Sequence, residues 1–257
     1  MKINSKKELN SLIKHHKFKM KKIFKIIGSL LILMILILIL FFISENEPLP
    51  KGEKGEYADA LATKMITAIN VEAFKNTEIL EWNFRDSHYY KWLKNEDQVT
   101  VKWEKNIVHL LLNSPQKSLV QYNNIEVKGS NLKIIKQAQD FFNNDSFWLV
   151  APYKVFDKGT ERRIVKHNGK DALLVTYTSG GTTPGDSYLW ILDSTGLPTA
   201  FKMWTQIIPL GGIEASWNDL KTYESGIKLP TSHTLSLFDI LIDMGDVKAY
   251  NTKNNEL

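Results

Sequence analysis

The chain has 257 residues, with 33 basic and 28 acidic side chains, a formal net charge of +5, and no cysteine. Residues 1–43 carry nine lysines against Glu8 alone, a net +8, which leaves 24 basic and 27 acidic residues, a net −3, for the rest. The basic surplus therefore belongs to the leader. The remainder lacks the electrostatic footprint of a nucleic-acid binder, and the missing cysteines exclude disulfides, thiol chemistry and lipid attachment through sulfur.

Residues 1–22 form a basic tail. Its His15-His16 doublet is too little for a metal site. Residues 23–43, IFKIIGSLLILMILILILFFI, hold one charge, Lys25, and the stretch 30–43 has no polar side chain. As an α-helix this segment would reach about 31 Å, the thickness of a bilayer's hydrocarbon core. A helix satisfies its own backbone polar groups, so it can cross lipid as a single segment. The lysines precede it and Glu45 and Glu47 follow it. The positive-inside rule then predicts a single pass through the inner, cytoplasmic membrane, N-terminus in the cytoplasm and the rest periplasmic or otherwise extracytoplasmic. A cleavable signal peptide is the rival reading. No small-x-small site follows Ile43, so the segment reads as an uncleaved signal anchor.

Residues 44–56 are rich in Pro, Gly and charge and read as a linker. A domain over residues 57–250 follows, and residues 251–257 form a polar tail. The domain opens on an amphipathic helix, 57–70, with Ala58, Leu61, Met65, Ala68 and Ile69 on one stripe. Asn70 is placed to cap a second helix, 71–76. Strand patterns follow at 78–85, 88–93, 98–103 and 106–112. Residues 131–147 return to helical spacing, with Leu132, Ile135, Ala138 and Phe142 along one stripe. Strand patterns resume at 161–167 and 171–178, joined by Asn168-Gly169, the strongest short-range hairpin signal in the chain. Further candidates are 186–192, 199–205, 212–220, 227–230, 234–240 and 243–250. Roughly ten strands at short spacing with helical insertions predict an α+β domain, with one large curved antiparallel sheet and helices covering one face.

The search for chemistry is mostly negative. No G-x-S-x-G, H-E-x-x-H, P-loop or dinucleotide fingerprint occurs. His88, His109, His167 and His233 are scattered through separate strand patterns, and Asp239, Asp243 and Asp246 lack the spacing of a calcium loop. Neither a cofactor nor a metal is implied, and the domain reads as non-catalytic. A hydrolase would need a histidine and a carboxylate converging in a cleft.

The aromatic load is the unusual feature. All seven tryptophans lie outside residues 23–43, and Trp82, Trp103, Trp190, Trp204 and Trp217 sit within strand patterns. Residues 188–192, YLWIL, are apolar on both faces, whereas a sheet with one wet face should alternate. Two-sided apolarity implies that both faces are covered. Helices can cover one face; the other either packs as a plain aromatic core or lines a cavity for an apolar guest. Residues 207–212, IIPLGG, fall where a turn belongs. They read either as a buried hairpin end or as an exposed apolar loop that touches a membrane, a partner or a cavity mouth.

Residues 188–204 run YLWILDSTGLPTAFKMW, an aromatic strand, then Asp193, Gly196, Leu197 and Pro198, then a second strand. This element resembles the strand–Asp-x-x-x-Gly-Leu-Pro–strand hairpin of the bacterial lipoprotein-carrier superfamily, the LolA/LolB-like proteins. The domain is also similar to envelope proteins of Bacteroidetes-type bacteria. The resemblance implies a half-open β-barrel, with the helices 57–70 and 131–147 as a lid over a hydrophobic cavity. It further implies a lipid or acyl-chain ligand, bound by Trp82, Trp103, Trp190, Trp204 and Trp217. An anchored chain cannot shuttle cargo, so local binding of a hydrophobic ligand is the function implied. The other reading is a structural or interaction domain of the envelope, with a filled core and a protein partner.

Overall fold

The computed structural model describes residues 6–217 and 219–252. The chain divides into two compact units, Met1–Asn46 and Glu47–Leu257. In the first, a single helix α1 runs over Lys6–Glu45 and contains the whole apolar segment. Among the described residues it is the one helix long and apolar enough to cross a membrane.

The second unit has the α+β class expected, with large antiparallel sheets that do not close. It begins with α2 (Glu56–Ala68), which buries Ala58, Ala62 and Met65. Next comes α3 (Val71–Asn76), whose N-cap Asn70 accepts a hydrogen bond from Ala73 N–H at 3.2 Å. The first sheet is built from β1 (Ile79–Phe84), β2 (His88–Leu93), β3 (Gln98–Trp103), β4 (Asn106–Leu111), β5 (Leu119–Tyr122) and β6 (Ile125–Glu126). β16 (Lys248–Tyr250) lies beside β1, so the order is β16-β1-β2-β3-β4-β5-β6. After β6, α4 (Leu132–Val150) crosses to the second sheet and ends in a 3-10 turn, Ala151–Lys154. The second sheet takes β7 (Thr160–His167), β8 (Lys170–Tyr177), β9 (Ser187–Leu192), β10 (Pro198–Trp204) and β11 (Ile213–Ser216), then β14 (Ser232–Leu235) and β15 (Ile240–Asp243). A small ribbon, β12 (Leu220–Thr222) with β13 (Lys228–Pro230), branches from it.

The two sheets meet along β1. Its first half pairs with β16, while Asn83 N–H donates to Met244 O at 3.1 Å and Arg85 N–H, one residue beyond β1, to Asp243 O at 2.9 Å, at the end of β15. The sheets thus run on into one another, with β6 and β7 as the outer edges. This is the half-open curved sheet expected, with more and shorter strands than the pattern suggested.

Local chemistry explains the turns. Asn168 and Gly169 both take positive φ, as a two-residue hairpin between right-twisted strands requires. Asn123 and Asn124 do the same between β5 and β6. The predicted single strand over 234–240 is broken, because Phe238 and Asp239 are left-handed and turn the chain between β14 and β15.

Two aromatic cores fill the concave side. One joins Trp82, Tyr90, Val101 and Leu110 of the first sheet to Ile135, Ala138 and Phe142 of α4. The other joins Trp190, Phe201, Ala215 and Trp217 to Ala62 and Met65 of α2 and to Ala151 and Val155. A third, small cluster lies on the far side of the second sheet: Ala172, Leu174 and Leu189, with Val165 and Trp204 against it.

Residues 47–55 run over that far side. Trp204 Nε1–H donates to Glu47 O at 2.8 Å, Lys202 Nζ meets Glu47 Oε1 at 2.6 Å, and Glu53 bridges to Ile164. The linker segment is therefore held against the sheet at Glu47 and Glu53. Its docking explains why β9 is apolar on both faces.

Candidate functional site

The site is the trough of the half-open sheet, occupied by α4. The helix binds there through the stripe Ile135, Ala138, Phe142, Asp145, Ser146, Leu149 and Val150; Leu132, predicted to join it, is 59% exposed. Phe142 sits against Trp82 (6.2 Å between ring centroids), Tyr90 (6.3 Å) and Trp92 (5.2 Å) of the first sheet. One turn on, Phe147 lies 4.1 Å from Tyr188 and 5.6 Å from Phe201 of the second.

Four of the five predicted tryptophans face this trough. Trp82 and Trp103 lie on the first sheet's inner face, and Trp190 and Trp217 on the second's. Trp82, Trp190 and Trp217 are no more than 1% exposed. Trp204 does not join them. Strand alternation puts it beside Glu47 on the opposite face, where it packs with the third cluster. The trough holds packed side chains, and the five tryptophans do not line one chamber.

The packing leaves polar atoms unpaired, the Tyr177 hydroxyl against the second core among them. The indole N–H groups of Trp82, Trp92 and Trp190 are buried with no hydrogen-bond partner among the described residues. A buried unpaired donor costs on the order of 1–3 kcal/mol; two of the three, Trp82 and Trp92, belong to the first core and Trp190 to the second.

Sequence reasoning missed a polar cluster beside them. Asp145 Oδ2 accepts from Tyr90 O–H at 2.6 Å and lies 2.7 Å from His88 Nδ1. Phe141 stacks on the His88 ring at 4.0 Å. Burial pushes the Asp145 carboxyl above its ordinary range, while the Tyr90 and His88 hydrogen bonds pull the other way. Burial also raises the Tyr90 phenol. His88 and Asp145 are 57 positions apart, so no spacing motif could announce them.

The cluster borders an open cleft of about 560 Å³, lined by Asp86, His88, Trp103, Asn106, Gln137 and Phe141 among others. His88 is part of this lining, whereas its partner Asp145 is buried and is not. The neighbouring Ser87 hydroxyl, however, donates to Arg85 O at 3.1 Å, so that serine is not aligned on the imidazole.

A second cleft, about 430 Å³, lies between α2 and the hairpin that carries Asp193. The Asp193 carboxylate accepts from Thr195 N–H, Thr195 O–H and Leu197 N–H, and the Thr195 hydroxyl leads in holding its pKa down. Gly196 has φ +98°, and a Cβ there would come within 2.7 Å of Lys64 Cγ, while Lys64 Nζ donates to Ser194 O. The Asp-x-x-Gly-Leu-Pro element is therefore a turn shaped to seat α2. Among the described residues no group of three or more His, Asp or Glu could hold a metal ion.

No family model matches the chain. A search of curated proteins gives no match. Among solved structures the chain is distantly similar to a DUF1329 family protein from Desulfovibrio piger. Identity is 12% and the TM-score 0.40, over 76% of this chain and 94% of that one.

Proposed function

We propose that this chain is a membrane-anchored extracytoplasmic protein that binds a lipid or another hydrophobic ligand, without catalysis, in the trough beneath α4. The observation that carries the proposal is the set of buried, unpaired indole donors at Trp82, Trp92 and Trp190, two against the first sheet and one against the second. A filled core has no use for them. A guest with an apolar body and an acceptor group, such as an acyl ester, would use both the aromatic walls and the donors. α4 then acts as the lid, and its inner stripe supplies the packing while no guest is present. The basic residues that precede the apolar segment of α1 support an N-terminus in the cytoplasm.

A second reading is favoured by a different observation. Trp82, Trp190 and Trp217 are packed to 1% exposure or less, which suits an interaction domain with a permanently filled core. Photo-crosslinking of the full chain separates the two. The protein is placed in vesicles that contain a phospholipid with a photoactivatable acyl chain, and the labelled peptides are mapped. Adducts on the peptides carrying Trp82, Trp92 and Phe142 are expected. Adducts confined to α1 would sink the ligand reading and leave the interaction domain.

A further inference from the structure

Strand register gathers one row of side chains at the end of the first sheet. His88 pairs with Trp103, Trp103 with Asn106, Asn106 with Tyr122, and Tyr122 with Ile125. Directly opposed residues of an antiparallel pair share a face, and Trp103 places this row on the concave one. Its first three residues line the cleft of about 560 Å³. α4 supplies the wall with Gln137 and Phe141, one helical turn apart. Phe141 fixes both rings beneath it: it stacks on His88 at 4.0 Å and meets Trp103 edge-on at 5.5 Å. Tyr122 and Ile125, 48% and 72% exposed, carry the row on to the sheet edge at β6.

The polar groups of this cleft want donors. Asp145 Oδ2 accepts from Tyr90 O–H and holds the Nδ1 side of His88 inward. A carboxylate there sets the hydrogen of a neutral imidazole on Nδ1 and leaves Nε2 an acceptor. Nε2 has no hydrogen-bond partner among the described residues. The two adjoining turns add carboxylates, Asp86 between β1 and β2 and Glu104 between β3 and β4. Among the described residues neither has an ion-pair partner, and Asp86 Oδ1 takes only the Asn83 amide at 3.4 Å. Glu104 holds φ +47°, which Gly or Asn adopts more easily, so the turn itself gives no reason for a glutamate. No Lys or Arg is among the lining residues; Arg85 acts on Asp145 from behind the turn. One donor faces these acceptors. Trp103 is 7% exposed, and its indole N–H has no partner among the described residues, yet it is not sealed from solvent as those of Trp82, Trp92 and Trp190 are.

We infer that this cleft binds a primary ammonium group with an oxygen a few bonds away, the pattern of ethanolamine. The carboxylates and the aromatic walls attract a small cation. His88 Nε2 selects one that has an N–H to donate, against a quaternary ammonium of equal charge. The Trp103 N–H is available to the ligand's oxygen. The same head occurs free in solution and on a lipid, and the exposed Tyr122 and Ile125 beside the cleft offer an apolar path to the chain of the second. The inference stands whether or not the trough beneath α4 holds a guest.

The test reads the imidazole directly. The full chain, with nitrogen-15 in its histidines, is held in alkyl maltoside micelles at neutral pH, and long-range proton–nitrogen spectra report each ring nitrogen. His88→Gln identifies the His88 signals by their loss. Ethanolamine hydrochloride is titrated in, with tetramethylammonium chloride as the control at equal ionic strength. The His88 Nε2 signal is expected to move saturably with ethanolamine, and tetramethylammonium to bind about tenfold more weakly. Glu104→Gln, at an exposed turn, should weaken ethanolamine binding about threefold while the other histidine signals stay in place. Doping the micelles with phosphatidylethanolamine or with phosphatidylcholine then separates the sources. A shift with the first lipid alone assigns the site to a headgroup; a shift with ethanolamine and neither lipid assigns it to the free amine. No saturable shift with ethanolamine or its lipid overturns the proposal, and so does an equal response to tetramethylammonium, because charge alone would then explain it.

Discussion

The two seven-stranded sheets have matching inner faces and opposite outer ones. The outer face of the first is wet. Glu81 gathers Tyr89 O–H at 2.9 Å, Tyr250 O–H at 2.6 Å and Lys91 at 3.4 Å, and Thr100 bonds His109 at 3.1 Å. The outer face of the second carries Ala172, Leu174 and Leu189, sealed by Trp204 and residues 47–55. The difference lies in what arrives to cover each face. The first sheet alternates because water covers its back; the second does not, because the chain's own entry segment does. Apolar positions on both faces of β9 thus record a strap and not a second cavity wall.

Charge placement breaks or confirms this comparison most sharply. Leu174→Lys puts an unpaired ammonium under the strap and is expected to destabilise the domain by about 4 kcal/mol or more. Thr100→Lys, on the first sheet's back, should stay within about 0.5 kcal/mol of the parent. Denaturant melts of the full chain in detergent, followed by tryptophan emission, give both numbers. Similar losses at the two sites would erase the distinction between the faces. A smaller effect is expected at Trp204→Ala, about 2–3 kcal/mol, with faster proteolysis at Lys51 and Lys54 as the strap lifts. If cleavage there is unchanged, the strap is held by something other than Trp204. Smaller still is Glu81→Gln, about 1 kcal/mol, since it weakens charge-assisted bonds on a surface that water can rehydrate.

Much of this was legible in the sequence, for reasons that are local. Asn70 reads as a cap and Asn168-Gly169 as a hairpin because each acts on its own backbone. β2 and β3 fall at their expected residues because the first sheet alternates cleanly. β5 and β6 were missed, although Asn123-Asn124 offered a weaker form of the same turn signal. The site was legible only in part. Alternation does not say which face of β10 is concave, so Trp204 was grouped with four tryptophans that lie on the other side. The His88–Asp145 pair and the docking of Glu47 are products of tertiary contact between distant segments, which periodicity does not encode.

His233 gives the last and smallest test, on the second sheet's inner face. It is fully buried, with Nδ1 2.8 Å from Ser216 O and Nε2 2.7 Å from Trp148 O, between the rings of Trp148 and Trp217. Two carbonyl acceptors favour an imidazolium, and so does Asp219, the charged group that acts on it; burial opposes it and prevails, holding the pKa below 6.5. The unfolded chain then binds the proton more readily. The stability contributed by the neutral ring is complete above about pH 6.5 and is lost as pH falls below it. His233→Gln should melt lower than the parent at neutral pH, and the gap should narrow between about pH 7.5 and 5.5. Taking the difference cancels Asp145, which acts in the opposite sense: its raised pKa withdraws stability as pH rises above 3.8. A gap that widens on acidification would mean that the two carbonyls win and the buried ring carries its charge, which would make this core a site of stored charge and not the sealed apolar counterpart of the first sheet's cluster.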